Sequence, residues 1–146
     1  MKFYNLDKTL GIDNFLLPHN INLIKSEDQS LEEYRDWLDT FTYLHNEIIT
    51  VALRPHGRAL EFHFIISPSA TIKNKINALQ SLSELLRGCP LVTYIGMNNK
   101  RLMDFCCNRF GFTKSKWCGF VEADGKKHRR FQMTRDPIYK EVVDDK

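Results

Sequence analysis

The hydrophobic pattern changes period several times along the chain, and each change marks an element. From Ser30, the apolar residues Leu31, Tyr34, Trp37, Leu38 and Phe41 recur every three or four positions, which predicts an amphipathic helix over Ser30–Tyr43. Ser30-Leu-Glu-Glu33 supplies a capping box at its start, with Glu33 reaching back to the serine amide. Glu47–Arg54 (EIITVALR) and Ala59–Ser67 (ALEFHFIIS) are β-branched and apolar, and read as strands joined by a turn at Pro55-His-Gly57. Thr71–Arg87 places Ile72, Ile76, Leu79, Leu82, Leu85 and Leu86 on one helical face, and Gly88 is positioned to end that helix. Pro90–Gly96 is a strand again. Lys100–Phe110 is a helix, with Leu102, Phe105, Cys106 and Phe110 near one side. Trp117–Val121 and His128–Thr134 flank Ala123-Asp-Gly-Lys126, whose Asp-Gly pair signals a hairpin.

The first 28 residues are less regular. Phe15-Leu-Leu17 and Ile21–Ile24 read as short strands interrupted by Pro18. At the other end, Asp136–Lys146 reads as a loosely held tail. From Glu47 onward the order is β-β-α-β-α-β-β, which argues for a mixed α/β sheet rather than a sandwich. The central β-α-β unit takes a right-handed crossover and leaves two parallel strands as neighbours. A length of 146 residues suits a single domain with a real core.

Composition narrows the function. A net charge of +3 is too small to mark a nucleic-acid binder, so nucleic acid is not an expected partner. Lys114, Lys116, Lys126, Lys127, Arg129 and Arg130 do gather with Trp117, Phe120 and Phe131, but a hairpin with aromatics inward and lysines guarding an edge explains them. No apolar run approaches the roughly 18 residues of a membrane span, and the N-terminus lacks a signal core, so a cytoplasmic protein without a membrane partner is expected. Cys89, Cys106, Cys107 and Cys118 form no C-x-x-C pair, which argues for free thiols rather than a metal site.

Strand alternation puts Glu61, His63 and Ile65 on one face of Ala59–Ser67, the two polar groups spaced roughly 6.5–7 Å along the strand. A carboxylate or imidazole tuned toward neutrality can deprotonate an amine, and a polar face whose side chains simply hydrogen-bond to their neighbours would use the same residues. After that strand, Ser67-Pro-Ser-Ala-Thr71 opens a helix without any glycine; Ser69, Thr71, Lys73 and Lys75 offer hydroxyls and charge to a phosphate, or cap the helix and face solvent. Asn98 and Asn99 serve the turn into the next helix and cap it.

The segment Pro90–Phe112, PLVTYIGMNNKRLMDFCCNRFGF, with its strand, Asn-Asn turn, amphipathic helix and closing Gly-Phe, resembles the last third of the GNAT acyltransferase fold. Glu61-x-His63 also looks like a motif of the small GNAT-like proteins encoded by tailed phages. The resemblance implies a mixed, mostly antiparallel α/β sheet with a parallel splayed pair, flanking helices and a terminal hairpin. It implies acetyl-CoA as cofactor and an amine-bearing small molecule or protein as acceptor. Glu61 would then be the base, assisted by His63, with Ser69, Thr71, Lys73, Lys75 and Asn99 near the cofactor. A thiol stands where the family carries a proton-donating tyrosine: Cys107 counting back from Gly111, Cys106 counting forward from Asn99. A cysteine there donates a proton or fills the core. The second reading is a non-catalytic phage or prophage protein that binds a phage structural protein during virion assembly.

Overall fold

The computed structural model describes residues 2–138. The elements run β1 (Tyr4–Leu6), α1 (Lys8–Phe15), α2 (Pro18–Ile24), α3 (Leu31–Leu38), β2 (Thr42–His45), β3 (Ile49–His56), β4 (Ala59–Ile66), α4 (Ile72–Leu85), β5 (Leu91–Gly96), α5 (Lys100–Phe110), β6 (Thr113–Ala123) and β7 (Lys126–Arg135). The seven strands form one sheet in the order β1-β2-β3-β4-β5-β7-β6. Every neighbouring pair is antiparallel except β4 and β5. This is the mixed, mostly antiparallel α/β sheet with one parallel pair that the segment order implied.

Alternation along the strands sorts the side chains onto two faces. Val51, Phe62, Leu91, Ile95 and Met133 pack with Ala78, Leu79 and Leu82 of α4 and with Met103 and Cys106 of α5. Tyr43, Ala52 and Ile65 point the other way, into a cluster with Phe15, Tyr34, Leu38 and Phe41. Gly11 of α1 lies so close to Tyr43 that any side-chain carbon there would strike the ring, so a glycine is required for this helix to dock.

Several expectations change. The strand read at Phe15–Leu17 is the end of α1 and the turn into α2, and that at Ile21–Ile24 is helical: Asp7 caps α1 through Thr9 N (3.2 Å), and Pro18 occupies the first turn of α2. A proline there fits the first helical turn, where its missing N–H costs nothing, so it starts an element instead of breaking one. Helix α3 stops at Leu38, short of the expected Tyr43, because the β-branched and aromatic run from Thr42 pairs with β3. The Asp-Gly turn forms with positive φ at both residues (54° and 73°), as a two-residue hairpin demands, but its strands extend beyond the expected limits. Gly88 does not end α4. The helix closes at Leu86 (φ −101°, ψ 12°), and the Arg135 guanidinium donates to the Leu86 carbonyl (3.0 Å) and Ser83 Oγ (2.8 Å). Helix α5 runs over its expected limits and ends on left-handed Gly111 (φ 73°). The start of the expected loose tail is tied down, Ile138 N donating to Arg87 O at 2.7 Å; residues 139–146 lie outside the described residues. Among the described residues, no helix is long and apolar enough to cross a membrane.

Candidate active site

Strands β4 and β5 pair only at Leu60 with Leu91 and Glu61 with Val92, then diverge. The wedge beyond is walled by His63 and Phe64 from β4 and by Thr93, Tyr94 and Ile95 from β5. Asn99 and Leu102 close it from the α5 end, and Leu23 and Ile24 of α2 press into it. The cavity that remains is about 30 Å³, room for one or two waters.

Glu61 and His63 are each only 2% exposed. They address one another: His63 Nε2 lies 2.6 Å from Glu61 Oε2. The other carboxylate oxygen accepts from Arg54 Nε at 2.8 Å, where Arg54 stands directly across the β3–β4 ladder, and Arg54 Nη1 donates to Thr40 Oγ1 at 2.7 Å. His56 Nδ1 is 3.8 Å from the same oxygen. Rings close the remaining sides of His63, with centroids at 4.8 Å for Trp37, 5.5 Å for Phe41 and 6.2 Å for Tyr94.

Burial alone would raise the Glu61 pKa, but the hydrogen bonds and charges of His63 and Arg54 outweigh it and hold the carboxyl below its ordinary range. Burial pushes His63 down; Glu61 opposes that shift, while Arg130 and Arg54 add to it. The pair is therefore an ionised carboxylate beside a neutral imidazole. An ionised carboxylate only accepts, so Nε2 carries the hydrogen and Nδ1 keeps the lone pair.

The two cysteines lie elsewhere. Cys106 lines a small apolar cavity under α4 with Phe62, Leu82 and Phe112, and burial pushes its thiol up to about 12. Cys107 packs at the margin of that core. Neither lines the wedge, so the structure does not bring them to Glu61 and His63.

At the far end of β4, Thr71 caps α4 by accepting from Asn74 N (3.1 Å), and Ser67 and Ser69 pair through their hydroxyls (3.0 Å). Lys73 and Lys75 have no ion-pair partner among the described residues. Asn99 sits at the cap position of α5 without a capping side-chain bond, its place being the wall of the wedge. Hydroxyls, two unpaired ammonium groups and the free amides of a first helical turn suit a pyrophosphate, so the donor set fits coenzyme A in kind. The wedge is narrower than a pantetheine arm while Leu23 and Ile24 stand in it.

Sequence reasoning missed Trp37, Tyr94 and Arg130. The first read as a core residue of a helix face and the last as edge charge. In the structure the Arg130 guanidinium lies 4.6 Å from the Tyr94 ring, and the His63 ring lies 6.2 Å from that same ring.

No protein-family model matches the chain, and no curated protein does. Solved structures do. The ribosomal-protein-S18-alanine N-acetyltransferase from Escherichia coli superposes with a TM-score of 0.64 at 11% identity, covering 97% of each chain. A single-site mutant of the spermidine N-acetyltransferase SpeG from Vibrio cholerae gives 0.62 at 16% identity, over 92% of this chain and 94% of that one. A GNAT-family acetyltransferase from Streptococcus pneumoniae gives 0.58 at 10% identity, over 92% and 97%. The chain thus has the GNAT acetyltransferase fold over nearly its whole length. Nothing in these likenesses supports a phage origin.

Proposed function

We propose that the chain is an N-acyltransferase that draws its acyl group from coenzyme A, with His63 as general base and Glu61 as the residue that positions it. The observation that carries this reading is the neutral, carboxylate-anchored imidazole on the wall of the wedge where β4 and β5 part. Of the three structural relatives named above, two are N-acetyltransferases and the third is an acetyltransferase of the GNAT family. Ser69, Thr71, Lys73 and Lys75 would hold the phosphates, and Asn99 the amide-bearing arm. When bound, acetyl-CoA supplies a thioester carbonyl activated toward an amine.

His63 Nδ1 takes a proton from the acceptor ammonium. The freed nitrogen lone pair would form the N–C bond as the C–S bond breaks with its electrons on sulfur, and the nitrogen would give up its second proton as the thiolate gains one. Glu61 fixes the tautomer and stabilises the imidazolium as it forms. Tyr94, whose oxygen accepts from Gln132 Nε2 at 3.4 Å, keeps its own O–H to donate to the leaving sulfur. Entry of the cofactor requires Leu23 and Ile24 to withdraw from the wedge.

Calorimetry with acetyl-CoA tests the reading. Binding at micromolar levels is expected, weakened at least tenfold by the double charge reversal Lys73→Glu and Lys75→Glu. His63→Gln should then lower turnover by roughly 10²–10⁴-fold while acetyl-CoA still binds. Absence of binding at millimolar cofactor would overturn the proposal and favour the non-catalytic alternative, for which the glycine-free loop and the narrow wedge already speak.

A further inference from the structure

A second concavity lies beside the wedge and shares Ile24 with it. It has a volume of about 360 Å³. One wall is the connection from α2 to α3, with Ser26 and Asp28. Another is the face of α3 that carries Glu33 and Trp37, and Arg130 of β7 completes it. The pocket is bipolar. Asp28 commits one oxygen to Ser26 and Glu33 one to the Ser30 amide, which leaves each carboxylate an oxygen to offer.

Arg130 is the informative residue. It is half-buried, yet among the described residues it makes no hydrogen bond and no ion pair; its contact is the face of Tyr94. Burial depresses its pKa, which registers the cost of holding that charge partly out of water. Its planar fork matches a carboxylate, and pairing would recover that cost.

We infer that this pocket binds a basic amino acid, with its carboxylate on Arg130 and its side-chain cation between Asp28 and Glu33. The signs of the lining charges disfavour a simple diamine, which would leave Arg130 facing a like charge. The assignment rests on the acyltransferase reading for its chemistry but not for its binding.

The test is therefore a binding measurement, made without acyl-CoA and read by calorimetry or quenching of tryptophan fluorescence. Three probes separate the contacts: L-lysine, 6-aminohexanoate (which lacks the α-amine) and cadaverine (which lacks the carboxylate). L-Lysine and 6-aminohexanoate should bind at least tenfold more tightly than cadaverine. Arg130→Gln should abolish that preference by weakening the two carboxylates, and Arg130→Lys, which keeps the charge but not the fork, should restore part of it. Asp28→Asn with Glu33→Gln should weaken all three probes alike; glutamine at position 33 can still complete the capping box. Equal affinity of the native chain for L-lysine and cadaverine overturns the inference, whether or not the variants fold. If L-lysine binds through Arg130 and acetyl-CoA does not bind, the pocket stands and the acyltransferase reading falls. If acetyl-CoA binds and the carboxylate preference is missing, the reverse holds.

Discussion

The face of the sheet under α4 and α5 buries Ile49, Val51, Phe62, Leu79, Leu82 and Met133, with Arg135 as its one buried charge among the described residues, closing the end of α4. The face under α1 to α3 buries Asn20, Glu61 and His63 among the rings of Phe15, Tyr34, Phe41 and Tyr43. The first face is a sufficient core by itself. The second spends burial on ionisable groups, which an all-apolar replacement of similar volume often equals or betters in stability. Such a face is understandable if the groups do chemistry, and the wedge opens where they are.

The largest effects should show that contrast directly. Leu82→Ala, on the aliphatic face, should cost about 3 kcal/mol by leaving a cavity. Glu61→Gln changes almost no volume, yet should cost a comparable amount, about 3 kcal/mol, because it strips the counter-charge from Arg54 and leaves Arg54 Nε or His63 Nε2 facing an amide N–H instead of an acceptor. Chemical denaturation of the two variants measures both. A cost under about 1 kcal/mol for Glu61→Gln would mean that the buried charges are held no better than by neutral hydrogen bonds, and the contrast would collapse.

The two faces should also differ with pH. His63 has its pKa depressed in the folded chain, so below its ordinary value of 6.5 the unfolded state binds a proton that the folded state refuses. Its contribution is thus complete above that pH and lost as pH falls. Glu61, also depressed, adds a second loss below its ordinary 4.5. Denaturation midpoints followed from pH 8 to pH 4 should decline for the native chain and for Leu82→Ala in parallel. His63→Gln should flatten the decline between pH 7 and pH 5. A His63→Gln profile that tracks the native one would assign the loss to other groups.

How much of this was legible in the sequence follows from how local each signal is. Leu102, Cys106 and Gly111 lie within one helix and its cap, so α5 was readable to its ends, and the parallel pair followed from β-α-β order. Glu61 and His63 were readable as neighbours because strand alternation is a two-residue rule. Their direct bond was not, since 6.5–7 Å of backbone spacing along a strand says nothing of side chains that lean together. The helices at Lys8–Phe15 and Pro18–Ile24 were missed because short apolar runs fit either period. Trp37, Tyr94 and Arg130 come from three distant segments and converge only through the sheet. No spacing in the chain encodes that meeting.

The smallest effect separates the faces by ligand instead of by stability. Ser30 caps α3, with its hydroxyl accepting from Glu33 N at 3.0 Å and its amide donating to Glu33 Oε1 at 2.8 Å. Thr71 caps α4 through its hydroxyl, which accepts from Asn74 N at 3.1 Å. Ser30→Ala and Thr71→Ala should each cost about 1 kcal/mol, the ordinary worth of a cap. Their consequences should then part. Ser30→Ala frays the turn that orients Glu33 and, one turn on, Trp37 against His63, so it should weaken L-lysine and leave acetyl-CoA alone. Thr71→Ala loosens the first turn beside Lys73 and should do the opposite. Measuring both ligands on both variants decides the matter: if either cap disturbs both ligands equally, the amine pocket and the acyl-donor end are one mobile unit, and the division of labour between the faces is wrong.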